Sequence, residues 1–410
     1  MGEMKHPTRD VNRLVLGLLL FGTLAVSTGY GMLLLLPLYV TRIGGQESDF
    51  GVISAAGTVT AAIAIGLLIR FPRAVPPQLA FAATSTLYGA AAFAVSFVHS
   101  LGVGLIFCGV ALGTAWAVAY TTGPMIISEL VGDERRGVYI GYVTGMIQIG
   151  FGLGPILGNA ILHLGLSFES VFRSAAALSV LAALAVVALG KLAPELSRVR
   201  QYGTTHQTSL SRDLSGIVRS PAMIPLVMVL LCACVFTTMN SFQTTFADRN
   251  QLNFDVFYAS YTVAVIFARF VLVRVLPDPT SMRTLRWSTT GIVVSVLAFL
   301  TVGGNELIYG VASVLLGITY GLALPLIQAN AVNLSTPQLR PRILPLVGLL
   351  FETAILAFPF AAGWIIDAAG YQAVFLVLVG FALAVATLSF VQPAAVRPAQ
   401  TPPTAAEHGR

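Results

Sequence analysis

Two charged side chains interrupt long apolar runs of the sequence and are the residues best placed for chemistry. Glu352 lies within the run 343–366, and Arg269 lies within the run 255–276. The other acidic residues fall in loops, in tails or at the ends of apolar runs. Two interpretations stay open, a purely structural ion pair and a pair coupled to protons or substrate. Since arginine keeps its proton in proteins, Glu352 is the carboxylate suited to proton coupling.

Aromatic and amide side chains form a second group of candidates in the apolar runs. Flat amphipathic rings with scattered hydrogen-bonding groups suit a medium-sized organic molecule. For each residue taken singly, packing between helices explains its presence equally well. We predict that several of them line a substrate cavity: Tyr30, Trp116, Tyr120, Asn240, Gln243, Tyr320 and Gln328.

The composition shows which elements position these side chains. The chain has 410 residues, of which 56% are hydrophobic and 10% are charged, and its mean hydropathy is +0.84. A soluble domain carries about 25% charged residues, so soluble enzymes and nucleic-acid binders are excluded despite the net charge of +6. Continuous apolar runs predict an all-α membrane protein with twelve transmembrane helices, which we number as spans 1 to 12: 14–40, 51–69, 79–98, 101–123, 138–163, 170–190, 222–246, 255–276, 287–303, 307–329, 343–366 and 372–391.

The distribution of Lys and Arg predicts the orientation of these spans. Nineteen of the 23 basic residues fall in segments on one side, and the exceptions are Arg42, Arg173, Arg249 and Arg269. Cytoplasmic segments carry the excess of Lys and Arg, so both termini are predicted to be cytoplasmic. On this topology Arg269 and Glu352 lie about 10 Å and about 13 Å from the cytoplasmic ends of their spans, which permits a salt bridge.

An internal repeat divides the chain into two pseudo-symmetric halves. We predict a six-helix bundle over 1–190, a cytoplasmic linker over 191–221, a second bundle over 222–392 and a disordered cytoplasmic tail over 393–410. A shift of about 204 residues superimposes Gly113 on Gly317 and Pro155 on Pro359. Parallel repeats of six spans are a transporter architecture, in which the substrate path lies between the halves.

Two stretches resemble a known family, the major facilitator superfamily. One is Gly150, Gly154, Pro155 and Gly158, which is similar to the family's GxxxGPxxGG signature on span 5, although Asn159 replaces the last glycine. The other runs from 317 to 340. The resemblance implies a fold of two bundles, a central cavity lined mainly by spans 1, 4, 7 and 10, and alternating access. It also implies export by antiport and a pivot between the halves at these glycines, while simple helix packing remains the other interpretation.

The loops between spans depart from the family pattern. The family's loop between spans 2 and 3 usually reads GxxxDRxGRR, whereas Arg70 stands near the place of the acidic residue in this chain. The equivalent loop of the second half is also degenerate. These loops carry the arginines expected at the cytoplasmic face, Arg70, Arg136, Arg274 and Arg340.

These features together predict a secondary transporter and not an enzyme. The sequence contains no Walker A motif, catalytic triad or cluster of metal ligands, so we expect no cofactor and no metal site. The predicted function is proton-coupled export of a small organic molecule across a bacterial inner membrane by a monomer without a nucleic-acid partner. Proton-coupled uptake of an organic acid or a sugar is the alternative, and a membrane sensor that does not transport is the alternative of another class.

Reporter fusions test the predicted orientation. In a Gram-negative host, green fluorescent protein fused after residue 205 or residue 410 should fluoresce, because it stays in the cytoplasm. Alkaline phosphatase fused after Gly165 or Gly303 should be active, because these loops are predicted to lie outside. The reverse pattern at all four positions would mean that the rule for Lys and Arg fails for this chain.

Overall fold

The computed structural model of the protein describes residues 12–70, 75–131, 133–193, 220–335 and 340–392. Most of the predicted linker and the whole predicted tail therefore lie outside the described residues. Within the described ranges the regular structure is helical, without strands.

The first half consists of six spans, and span 1 is broken near its end. Pro37 lies in the first turn of the second segment of span 1, where a proline lacks the N–H and the space that a continuous helix requires. The helices of this half are Arg13–Leu33 and Leu36–Arg42 (span 1), Glu47–Arg70 (span 2), Pro77–Val95 (span 3), Val103–Leu130 (span 4), Asp133–His163 (span 5) and Phe168–Leu192 (span 6).

The second half repeats this arrangement, including a break in its first span. Spans 11 and 12 form one long helical stretch that turns at Gly370, where φ is 81° and only glycine is accommodated without strain. The helices are Met223–Ser241 and Gln243–Arg249 (span 7), Phe254–Phe267 with the π-helical turn Ala268–Leu272 and Val273–Val275 (span 8), Met282–Phe299 (span 9), Glu306–Asn333 (span 10) and Arg340–Val391 (spans 11 and 12).

These helices have the length and composition of membrane spans. In the described part of the chain, ten helices are long and apolar enough to cross a membrane, and the stretch Leu346–Val391 is 46 residues long. That stretch contains two crossings because of its turn, and Met282–Phe299, with Arg283 and Arg286 near its start, completes the twelve helices. The prediction of an all-α membrane protein with twelve transmembrane helices in two six-helix bundles is confirmed.

The two faces of the molecule follow from the alternating direction of the spans. We call the side where Asn12 and Gln392 lie the termini face, and the opposite side the far face. Spans 1, 3, 5, 7, 9 and 11 run from the termini face to the far face, and the even-numbered spans run back.

Close helix crossings recur at positions related by the repeat. In the first half, Gly113 of span 4 packs against the backbone of Gly57 in span 2. In the second half, Gly317 of span 10 packs against the backbone of Tyr261 in span 8. Both residues of the second pair lie 204 positions after those of the first. The same crossing is therefore built twice, as the internal repeat predicts.

The glycines of the span 5 motif pack mainly within the first half. A Cβ atom added at Gly154 would overlap the backbone of Gly31 in span 1, and one added at Gly150 would overlap Ser27 and Thr28. Lipid does not drive helices together as water does, so small residues that allow backbones to approach are the main source of attraction. Contact with the second half comes from Gly152, which faces the Thr262 side chain of span 8.

Substituting these glycines tests the crossing of spans 1 and 5. We expect Gly154→Ala to destabilise the protein by about 1–3 kcal/mol, as overpacking does in tightly packed sites. Gly141→Ala in the same span is the control, because nothing lies within 4 Å of its added Cβ. Thermal unfolding of the purified variants in detergent measures the difference. Equal midpoints for the two variants would contradict a close crossing at Gly154.

Candidate functional site

Eight aromatic rings meet where the two halves face each other, midway along the spans. Each ring lies within 6.5 Å of at least one other, centroid to centroid, so that they form a continuous group. We call this group the central ring cluster. It consists of Tyr30, Tyr88, Trp116, Tyr120 and Phe151 of the first half and Phe236, Tyr320 and Phe351 of the second half.

The tightest part of the cluster belongs to the first half. The ring of Tyr30 lies 4.1 Å from that of Trp116 and 4.9 Å from that of Phe151. Phe151 is stacked on Phe236 across the interface between the halves, at 6.1 Å. Such offset pairs add to the stabilisation that comes from burial alone.

The second half contributes a shorter stack. Phe236 is stacked on Tyr320 at 5.3 Å, and it lies 5.8 Å from Phe351. Phe351 is in turn stacked on Tyr120 of the first half at 6.3 Å. The structure therefore brings together four of the seven predicted cavity residues, namely Tyr30, Trp116, Tyr120 and Tyr320.

Three phenylalanines of the cluster were not among the predicted site residues. Phe151, Phe236 and Phe351 carry no hydrogen-bonding group, so a selection for amphipathic rings passes over them. A signal was present for two of them. Phe351 precedes Glu352, and Phe236 lies one helical turn before Asn240.

The other three predicted cavity residues lie outside the cluster. Asn240 donates a hydrogen bond to the carbonyl of Phe236 in its own helix, 2.9 Å away. Gln243 lies in the second segment of span 7 and accepts a hydrogen bond of 2.8 Å from the Tyr309 hydroxyl. Gln328 is partly exposed in span 10. The first two are engaged in packing within the second half.

Glu352 lies beside the cluster with its carboxyl group unpartnered. The residue is 2% exposed, and neither of its oxygens has a hydrogen-bond partner among the described residues. Tyr30 and Tyr120 lie within electrostatic range of this carboxyl group. The repeat-equivalent Gln148 of span 5 is also buried, and its Nε2 is likewise unpartnered. The two halves thus place unsatisfied polar groups at matching positions.

Arg269 lies in the π-helical turn of span 8. Such turns add a residue to a helix and are frequent at functional sites. The side chain is partly exposed, and its buried Nε has no partner in the described part of the chain. Tyr120 and Tyr320 lie within electrostatic range of it. Both charged candidates therefore lie within electrostatic range of Tyr120, although no hydrogen bond joins Glu352 to Arg269 in this conformation.

A half-buried ion pair joins the two halves at the far face. Arg249 at the end of span 7 lies 2.6 Å from the carboxylate of Glu47, whose side chain is fully buried at the start of span 2. The hydroxyl of Tyr371 donates to the same carboxylate at 3.0 Å. Asp367 of span 11 accepts hydrogen bonds from the backbone N–H groups of Glu47 and Ser48. We call Glu47, Arg249, Asp367 and Tyr371 the far-face latch.

Other polar contacts between the halves also lie towards the far face. Arg42 forms an exposed ion pair of 2.7 Å with Asp248. Asn159, the residue that departs from the glycine signature, donates to Asp255 of span 8 at 2.6 Å. The far face is therefore closed in this conformation by contacts that join three spans of the first half to four spans of the second half.

The cavity beside the ring cluster is small. It has a volume of about 60 Å³ and is lined by Tyr30, Tyr88, Leu112 and Ile355 together with further apolar side chains. This is room for about two water molecules. Binding of an organic molecule among the rings therefore requires the rings to separate.

Of the four predicted loop arginines, the structure describes the side chain of Arg274. Arg274 is exposed at the end of span 8, and the side chains of Arg70, Arg136 and Arg340 lie outside the described residues. Among the residues that the structure describes, no group of three His, Cys, Asp or Glu side chains is placed to hold a metal ion.

Comparison with known proteins gives one family and several similar structures. The family model described as Major Facilitator Superfamily matches residues 16–342. No curated relative matches the chain by sequence.

Three solved structures illustrate the similarity of fold. A bacterial homologue of the human lysosomal transporter Spinster, inward-facing and unoccupied, has a TM-score of 0.71 at 13% identity, with 92% of this chain and 96% of that chain covered. A POT family transporter in complex with a thioalcohol-conjugated peptide has 0.70 at 14% identity, with 92% and 95% covered. The human organic anion transporter MFSD10 (TETRAN) has 0.63 at 16% identity, with 93% and 100% covered.

Removing the latch cation tests whether the ion pair holds the far face closed. Arg249→Gln leaves the buried Glu47 carboxylate without its charge partner, which costs free energy only while that carboxylate stays buried. Because Arg249 is 50% exposed, we expect a shift of about 1–2 kcal/mol towards an open far face, or roughly tenfold in population.

Distances between spin labels at Leu164→Cys and Leu307→Cys, two exposed far-face positions, measure this shift. Arg42→Gln is the matched control, because its ion pair is exposed on both sides and is worth about 0–1 kcal/mol. A latch role is rejected if both variants give the wild-type distance distribution.

Proposed function

Because the chain belongs to the major facilitator superfamily of secondary transporters, we propose that it exports a small organic molecule in exchange for protons. The family match over residues 16–342 and the twelve-span fold identify a multi-pass membrane protein that moves a small molecule across the bilayer. We propose the direction of transport, the coupling to protons and the roles of the site residues.

The observation that carries the coupling is the unpartnered carboxyl group of Glu352. It is buried beside the central ring cluster, and both oxygens lack a hydrogen-bond partner among the described residues. A carboxylate at this depth is expensive unless a proton, a cation or water neutralises or hydrates it. In our proposal Glu352 alternates between carrying a proton and meeting the substrate, and this alternation links the two fluxes.

Export is supported by the glycine signature of span 5, which is associated with exporters that work by antiport. With the termini face in the cytoplasm, as the Lys and Arg distribution predicts, the closed far face is the outer one. We place the protein in a bacterial inner membrane, with the termini face towards the cytoplasm.

The proposed cycle uses the halves as two rigid bodies. Substrate enters from the cytoplasm and separates the rings between the halves. Its binding changes the protonation of Glu352, and the far-face latch then breaks as the halves rock to open outwards. Protonation of Glu352 from outside releases the substrate and permits the return. Arg269 keeps its charge throughout and acts on the substrate or on Glu352 through its field.

Transport by reconstituted protein tests the coupling. Compounds that stabilise the purified protein against heating are loaded into proteoliposomes with an imposed pH gradient. We expect wild-type flux to fall to the level of the leak when the gradient is collapsed. Glu352→Gln should lose most of its gradient-driven flux, because an amide cannot exchange the proton. Glu306→Gln is the control, since Glu306 is an exposed residue at the start of span 10.

The outcomes separate the candidate functions. Flux that ignores the gradient, or Glu352→Gln with wild-type coupling, removes Glu352 from the mechanism. Flux into the cytoplasmic side with the proton gradient would identify the uptake of an organic acid or sugar instead. Ligand binding without flux in either direction would identify a sensor.

A further inference from the structure

We infer that the central site takes an aromatic zwitterion, whose cationic group pairs with Glu352 and whose anionic group pairs with Arg269. This inference rests on the proposed transport function and names the chemical class of its substrate. It is carried by two opposite charges that lie at one cluster of rings and remain unpaired.

Glu352 and Arg269 supply the two opposite charges. Neither oxygen of Glu352 has a hydrogen-bond partner, and the buried Nε of Arg269 has none either, among the residues that the structure describes. Opposite charges at membrane depth normally pair with each other. Here they come from spans 8 and 11 and lie within electrostatic range of the same ring, Tyr120, without meeting. A ligand with two opposite charges that separates the rings would therefore meet a partner of opposite charge at each end.

Arg269 and Tyr320 are the proposed partners of the ligand's anionic group. The hydroxyl of Tyr320 is buried without a partner in the described structure, and Tyr320 lies within electrostatic range of Arg269. A hydroxyl donor and a guanidinium together suit a carboxylate, because a guanidinium presents a planar fork of donors. An unsatisfied buried donor destabilises the folded protein, and a carboxylate at this point would satisfy it.

Glu352 and the neighbouring aromatic rings are the proposed partners of the ligand's cationic group and of its ring. Tyr30 and Tyr120 lie within electrostatic range of Glu352, so an ammonium group there meets a carboxylate and the faces of aromatic rings, both of which attract cations. In the same cluster, Tyr120 is stacked on Phe351, and Phe351 lies 5.8 Å from Phe236. A planar ring that separates these faces replaces the ring contacts that it breaks. A molecule without a ring would break these ring contacts and would not replace them.

Matched sets of ligands test the inference by changing one charge at a time. Tryptophan, tryptamine and indole-3-propionate share one ring and are respectively a zwitterion, a cation and an anion. Equivalent sets with a phenyl and a naphthyl ring cover smaller and larger sites. Binding of each compound to the purified full-length protein is measured by calorimetry in detergent. In at least one set we expect the zwitterion to bind about tenfold to a hundredfold more tightly than the amine or the acid.

Substitutions assign each charge to its partner. Glu352→Gln should abolish the preference for the zwitterion over the acid and keep its preference over the amine. Arg269→Gln should do the opposite, and Arg269→Lys should retain part of the preference because it retains the charge. Glu306→Gln and Arg274→Gln, which change exposed residues, are the controls. Thermal unfolding of every variant verifies that it is folded.

The results decide between the inference and its rivals. Amines that bind as tightly as zwitterions, with no effect of Arg269→Gln, would overturn it in favour of a cation site, and the converse would indicate an anion site. No preference for zwitterions in any of the three sets also overturns it. Flux in proteoliposomes separates this failure from failure of the proposed function. Gradient-driven flux of an amine or an acid keeps the transporter and rejects the zwitterion, whereas zwitterion binding without flux keeps the site and rejects transport.

Discussion

The structure depends on one constraint, which is that hydrocarbon offers no hydrogen-bond partners to the groups it surrounds. Helices meet this constraint for the backbone. Hydroxyl side chains inside the spans meet it by donating to a carbonyl one turn earlier, as Thr28 does to Leu24 and Thr122 does to Val118. Polar groups inside the spans that have no hydrogen-bond partner are therefore exceptions that need an explanation. In the described part of the chain, the charged ones near the middle of the membrane are Glu352 and Arg269.

The same constraint shapes the contacts between helices. Within each half, backbones cross at small residues such as Gly31 and Gly154, which allow the close approach that holds helices together in lipid. Between the halves, aromatic rings meet at the centre. The far face carries the ion pair of Glu47 with Arg249 and a backbone crossing at Gly363, where an added Cβ would overlap Glu47. The proposed cycle requires these contacts between the halves to break while those within each half stay intact.

Much of the fold could be predicted from the sequence, because membrane helices are recognised by the length and hydropathy of their apolar runs. All twelve predicted helices are present, and the shift of 204 residues that relates the halves reappears in the crossings at Gly113 and Gly317. The site was predicted only in part. Aromatic residues at mid-depth meet in the ring cluster, but Asn240 and Gln243 lie apart from it, since position along a helix does not specify which neighbour its side chain faces.

By itself the sequence determined that the chain lies in a membrane. It also determined the number of helices, the repeat and the two charges at membrane depth, because each of these depends on residue type and spacing along one chain. The tertiary structure decided what depends on distances between different spans. It joined Phe151 to Phe236 and Glu47 to Arg249, which lie far apart in the chain. It also left Glu352 and Arg269 unpaired at one cluster of rings, where equal depth alone permitted a salt bridge. Depth follows from counting residues, whereas rotation about each helix axis follows only from packing.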